Sequence, residues 1–315
     1  MAKLLWSQRQ SMGPSARTSN AMAFDSKRQR TVLFGGQQTS GIVGGSLGDT
    51  WEWDGRFWIQ VADSGPAPRG RHAMAYDENR GRIVLFGGEG EGPVRTLGDT
   101  WEWDGEFWIQ VSDTGPSGRS LTAMASDTVR KRIVLFGGQG EDRGDIGDTW
   151  EWDGNQWTQQ DVVGPTAGSA HAMAFDPQRG RTVLFGGLIG ARPETWEWDG
   201  SKWLQVAHIG PEARNLLAMA FNGRSILLFG GQAELGGAVL TTDDTWEWDG
   251  KFWVERRDFG PPPRLGHAMS FDTGRTRVVL FGGSVSSAEG SALNDTWEPF
   301  DQEPIPLHRE ARSRM

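Results

Sequence analysis

One eight-residue word constrains this chain more than any other feature. GDTWEWDG stands at 48–55 and returns letter for letter at 98–105. Close variants put its central glutamate at Glu52, Glu102, Glu151, Glu197 and Glu247, with Glu298 in the altered form DTWEPF. A second word, F-G-G, ends at Gly36, Gly88, Gly138, Gly187, Gly231 and Gly283. Such self-similarity marks a repeat architecture, in which no single unit can bury its own apolar face. The chain therefore holds six copies of one unit: R-x-x-H-A-M-A-F-D, a short turn, R-x-V-L-F-G-G, a variable loop, D-T-W-E-W-D-G, and x-x-W-x-Q.

Each unit divides into four short strands, called A to D here. HAMAFD (A) and DTWEWD (C) alternate with period two, and RIVLFGG (B) is β-branched and aromatic. Asp-Gly between C and D predicts a two-residue hairpin. No segment has a helical period with caps. Four antiparallel strands in about 50 residues is the pattern of a β-propeller blade. The last unit has strand C but no strand D, whereas LLWSQRQSMGPSAR at the N-terminus parallels RFWIQVADSGPAPR. The expected fold is thus all-β, a six-bladed β-propeller of four-stranded antiparallel blades. It occupies residues 1–300, with residues 1–12 completing blade six and a loosely ordered tail over 301–315. Three Trp per blade predicts eighteen; the chain has 17, and Phe300 is read as the replacement.

The Gly-Gly pairs and recurrent Trp, spread over roughly residues 1–300, resemble the kelch family, and DTWEWDG is most similar to bacterial kelch-repeat proteins. The resemblance implies a binding or interaction module. It also implies a less favoured alternative, a kelch-type enzyme. Galactose-oxidase-like chemistry needs a Tyr–Cys cofactor, and this chain has no Cys and only Tyr76. An iron site like that of nitrile-specifier proteins needs clustered Glu, Asp and His, which the sequence lacks. A mutarotase-, isomerase- or lyase-like activity on a small anionic or sugar substrate stays open, with Glu89, Glu194 and His171 as candidate groups.

Composition narrows the partners. The net charge of −9, with both signs interspersed, argues against nucleic acid, which selects a basic field. No apolar run approaches a membrane span, and no signal-peptide core opens the sequence. A cytoplasmic monomer without cofactor or metal is expected, a secreted parent protein being left open. Its partner would be a protein, a peptide or a small anionic ligand.

In strand C, Trp51 and Trp53 share one face, and Thr50 and Glu52 the other. The glutamates are expected to be structural partners of a basic or amide group, with Arg30, Arg82, Arg132, Arg181, Arg224 and Arg277 at the start of strand B within reach. Function should sit on the face bearing the B–C and D–A connections, because the B–C loops vary most. Strand A begins there. Its leading positions carry Arg17, Arg69, Arg119, Arg214 and Arg264, with Arg71 nearby. Two readings stand: a ring that binds an anion bidentately, or arginines held within their own blades. The ring, together with His171 and Asn215, is the candidate ligand site. Three residues after these leading positions, His72, His171 and His267 fall in alternate blades, too far apart for one metal given metal–nitrogen bonds of about 2 Å. Symmetry breaks most in blades four and five: Gly168 replaces Arg, Glu194 replaces Asp, and Leu217 replaces His.

Overall fold

The computed structural model describes residues 4–10, 13–38, 45–91, 95–187, 193–256, 259–286, 288 and 290–301. Of the tail expected over 301–315, Asp301 ends the last strand and residues 302–315 lie outside the described residues. Six four-stranded antiparallel blades form a six-bladed β-propeller. Blade one runs Ala21–Asp25, Arg30–Gln37, Ser46–Trp53 and Trp58–Ala62 from the axis outward. Blade four runs His171–Asp176, Arg181–Gly186, Thr195–Trp198 and Trp203–Ala207. Blade six takes three strands from the C-terminal end, Ala268–Asp272, Arg277–Phe281 and Thr296–Asp301. Its fourth is Leu4–Gln10, paired antiparallel to the third. No helix among the described residues is long and apolar enough to cross a membrane.

Each letter of the repeated word has a contact. The strand D tryptophan donates its indole N–H to the Thr of the preceding blade's strand C, all the way round: Trp58 to Thr296, Trp108 to Thr50, Trp157 to Thr100, Trp203 to Thr149, Trp253 to Thr195 and Trp6 to Thr245. Trp6 belongs to the N-terminal strand, so the closing strand makes the same bond as its five counterparts. Around these bonds lie six apolar clusters, one per blade interface. A buried indole satisfies its N–H while its ring supplies much of the apolar area. The first Trp of W-E-W donates to the acidic residue two positions earlier, as Trp51 does to Asp49 at 2.7 Å. The second, fully buried, reaches the preceding blade's glutamate in Trp53, Trp103, Trp198 and Trp248, the Trp198–Glu151 bond being 3.0 Å, whereas the Trp152 indole finds no partner among the described residues.

Three expectations need correction. The glutamates do pair with arginine, but not with the one opening strand B. Glu52, Glu102, Glu151, Glu197 and Glu298 bind Arg28, Arg80, Arg130, Arg179 and Arg275, which lie in the A–B turn. Arg30, Arg82, Arg132, Arg181 and Arg277 instead donate to the carbonyl of the residue before them. Blade five has Asn222 in the turn, and its Glu247 takes Asn222 and Arg256. Secondly, Trp6 pairs with Pro299 where other blades pair Trp with Trp, so Pro299, not Phe300, replaces the missing indole. Thirdly, the C–D turn is centred on Gly55–Arg56, not Asp54–Gly55. Asp54 N–H donates to the Phe57 carbonyl, and the Asp54 carboxylate accepts from the N–H of Arg56 and Phe57. Gly55 has φ +96°, which a side chain would resist.

Candidate functional site

The five arginines expected at the channel mouth do not face it. Arg17, Arg69, Arg119, Arg214 and Arg264 are at most 1% exposed. Each turns back into its own blade and binds both oxygens of the strand C aspartate, namely Asp49, Asp99, Asp148, Asp244 and Asp295. Arg69 meets Asp99 at 2.6 and 2.8 Å, donates from Nη1 to the Gly87 carbonyl at 3.0 Å, and from Nε to the Ala67 carbonyl at 3.0 Å. The same carbonyl pair, one from the F-G-G glycine and one from the residue two before the arginine, recurs in the other four. A guanidinium so surrounded has little left to offer a ligand. The anion-binding ring is therefore not formed. Burial alone would raise the pKa of each aspartate, but the arginine's hydrogen bonds and charge outweigh it and hold all five below the usual carboxylate range.

The mouth itself is ringed by backbone. Ser19, Arg71, Leu121, Ala170, Leu216 and Gly266 all adopt left-handed φ between 53 and 62°. Each N–H donates to the carbonyl of its counterpart in the preceding blade, at 2.7–2.9 Å, and the sixth closes on the first. Five of these are non-glycine residues in a region that L side chains avoid, so the ring imposes the strain. It leaves a cavity of about 120 Å³ lined by residues such as Asn20, Thr122 and His267. The opposite half of the channel is an apolar space of about 240 Å³ lined by Met22, Met74, Met124, Met173, Met219 and Met269 with the aromatics beside them.

Arg71 is half-buried and binds Glu89 at 2.9 Å, and Ser120 donates to the other Glu89 oxygen. This mouth cation is thereby neutralised. Asn215 sits in a short strand beside Gln232. The histidines pack edge-on against a phenylalanine of the preceding blade, His72 on Phe34, His171 on Phe136 and His267 on Phe229. Burial, then the charge of Arg69, lowers the His72 pKa to about 3; burial and Arg264 do the same to His267. His171 has Gly168 where the others have arginine. Burial alone lowers it, to about 4, against a hydrogen bond from Nε2 to the Phe136 carbonyl at 3.1 Å.

Blade four opens where the others are filled. Gly168, Gly186, Thr166 and Glu194 border a cavity of about 200 Å³, with His171 and Trp196 in its wall. Trp196 donates to Glu194 Oε2 at 3.0 Å, as its counterparts do to aspartate. The paired replacement of Arg by Gly168 and of Asp by Glu194 was the sequence signal for this cavity.

Blade five departs differently. Its B and C strands run on as Ile226–Leu235 and Ala238–Trp248, a hairpin projecting from the same face, with Leu235, Val239 and Leu240 exposed. The variable B–C segment expected there as a loop is largely strand.

These features define a six-bladed β-propeller, one face of which carries the B–C and D–A connections. The solved structure titled "Structure of YjhT" has the same fold, with a TM-score of 0.70 at 14% identity, covering 90% of this chain and 95% of that one. Neither a protein-family model nor a curated protein matches the sequence.

Proposed function

We propose that this chain is a non-enzymatic, kelch-type binding module that engages a protein or peptide on its B–C/D–A face, over the sector of blades three to five. One observation carries the reading. The D–A connections have a Gly-Pro corner preceded by an outward side chain. Among the described residues, these side chains are polar on one side of the ring, Ser64 and Thr114, while Met12 at the sixth corner lies outside them. Beyond blade three they are Val163, Ile209 and Phe259, exposed by 93%, 78% and 85%. Apolar side chains concentrated in one sector of a rim mark an interaction surface more often than chance exposure does. The projecting hairpin of blade five lies in the same sector.

The enzymatic alternative draws on Glu194 and His171, which border one cavity. It is weakened because His171 is committed to a backbone carbonyl and Glu89 to Arg71. Peptide display on the immobilised propeller tests the proposal. Selected peptides should lose binding to a Val163→Ser, Ile209→Ser, Phe259→Ser triple variant that keeps its melting temperature. Equal binding to the triple variant would contradict the reading.

A further inference from the structure

We infer that the cavity of blade four is a guanidinium-binding site: the slot that five blades fill with their own arginine, kept open for an arginine side chain or a small guanidinium compound from outside. This rests on the binding-module reading and names the chemistry of one contact within it.

In the five filled slots the guanidinium meets three kinds of acceptor: a strand C carboxylate, the carbonyl of the first F-G-G glycine, and the carbonyl two residues before the arginine. Blade four retains all three at matching positions, Glu194, Gly186 and Thr166, and all three border the cavity. The indole of Trp196 fixes Glu194 Oε2 as Trp101 fixes Asp99 Oδ2. The other carboxylate oxygen, which in the filled slots takes Nη1, has no hydrogen-bond partner among the described residues. Only the side chain at 168 is missing.

The glycine is not there for the backbone. Gly168 has no left-handed φ, unlike Gly186 or Gly187. A Cβ built on it would meet nothing closer than the Thr166 carbonyl, at 3.7 Å. A side chain could therefore stand at 168 without strain, and its absence costs the blade an internal ion pair with no conformational return. The carboxylate was kept while its cation was dropped, which leaves an acceptor set arranged for a planar, multiply donating cation. The slot opens outward, since Thr166 at its edge is exposed and Glu194 is half-buried. The net charge of −9 favours a cation. A guanidinium can use the carboxylate and both carbonyls at once, which an ammonium with one donor centre cannot do in the same geometry.

The test is calorimetric titration of the full chain with methylguanidinium, methylammonium, and two pentapeptides carrying a central arginine or lysine. Saturable methylguanidinium binding is expected, stronger than methylammonium binding. Glu194→Gln should weaken it about tenfold or more, as loss of a charge-assisted hydrogen bond does. Gly168→Arg should abolish it by supplying the missing side chain; if that variant fails to fold, Glu194→Gln decides alone. Arginine-peptide binding that exceeds methylguanidinium binding and falls in the rim triple variant identifies a polypeptide as the source. Methylguanidinium binding with no gain from the peptide identifies a small compound. Arg192, outside the described residues, lies two positions from Glu194 in the chain, so Arg192→Ala is titrated in parallel. Binding seen only in Arg192→Ala would mean that the chain fills its own slot and would overturn the proposal. So would binding unchanged by Glu194→Gln, or none in either background. Peptides that depend on the rim but not on Glu194 would sink this inference and leave the binding-module reading standing.

Discussion

Blade two and blade four build the same corner with opposite outcomes. In blade two, Arg69 fills the space between strands A and C and leaves Asp99 with both oxygens paired. In blade four, Gly168 leaves that space as a cavity and Glu194 with one oxygen held only by an indole. The surrounding scaffold is unchanged: Trp203 donates to Thr149 just as Trp108 donates to Thr50. The propeller therefore does not need all six of these ion pairs to close. The interblade Trp–Thr bonds and apolar clusters carry closure, and the Arg–Asp pairs are locally dispensable where both partners change together.

Converting blade two into blade four gives the largest expected effect. Arg69→Gly leaves Asp99 and two carbonyls without their cation, and should lower unfolding free energy by about 3–5 kcal/mol, the usual result of breaking a buried pair from one side. Chemical denaturation measures it; a loss under about 1 kcal/mol would mean that the slots are interchangeable with empty space. Added guanidinium compounds at non-denaturing concentration should restore part of the stability of this variant, as they should stabilise the parent.

Next in size is the pH response. His72, His171 and His267 are buried with pKa values lowered from 6.5 to about 3, about 4 and about 3. Below about pH 6.5 the unfolded chain takes up protons that these folded rings refuse. Stability is therefore full above that pH and falls as pH drops toward 4, with a slope of up to ~1.4 kcal/mol per unit for each histidine. The slot aspartates, held below their usual range, add a loss only at lower pH. The comparison sharpens here: His171, beside the empty slot, lacks a neighbouring arginine charge. In an NMR titration it should protonate before His72 and His267. Simultaneous titration of all three would contradict an electrostatic difference between the slots.

A smaller effect is expected from the other ionic set. Glu102→Gln damages the pair with Arg80 and should cost about 1–3 kcal/mol without changing ligand binding. Selective loss of binding at unchanged stability would reassign the W-E-W glutamates. The smallest change should come from rebuilding blade four as a filled slot. Gly168→Arg with Glu194→Asp should shift stability by no more than about 1 kcal/mol, since a buried pair roughly offsets its own desolvation. It should nevertheless abolish guanidinium binding. A larger destabilisation would show that blade four has lost the geometry of the slot.

The fold was legible because every blade repeats its contacts, so the period, the hairpins and the spare N-terminal strand all pointed to one closed ring. The arginines were harder. A residue at the start of strand A can point to the axis or back into its blade, and a single sequence does not say which. What could have decided it is the paired change at Gly168 and Glu194: two residues that vary together in one blade touch in the others. The same logic applied to the turn arginines. Arg28, Arg80, Arg130, Arg179 and Arg275 follow an aspartate by three residues, and the pattern fails only at Asn222, in the blade where Arg256 takes over Glu247. The ring of left-handed residues at the mouth was not legible, because Ser19, Leu121, Ala170 and Leu216 have no local preference for that conformation and are held there by their neighbours.

Blade four keeps an arginine slot without its arginine. The most direct measurement is a crystal structure of the propeller soaked in methylguanidinium at non-denaturing concentration. The predicted result is a planar group in the blade-four cavity, hydrogen-bonded to Glu194 and to the carbonyls of Gly186 and Thr166, with the other five slots occupied by their own side chains. A cavity holding only water, or filled by a side chain of the same molecule, would contradict it.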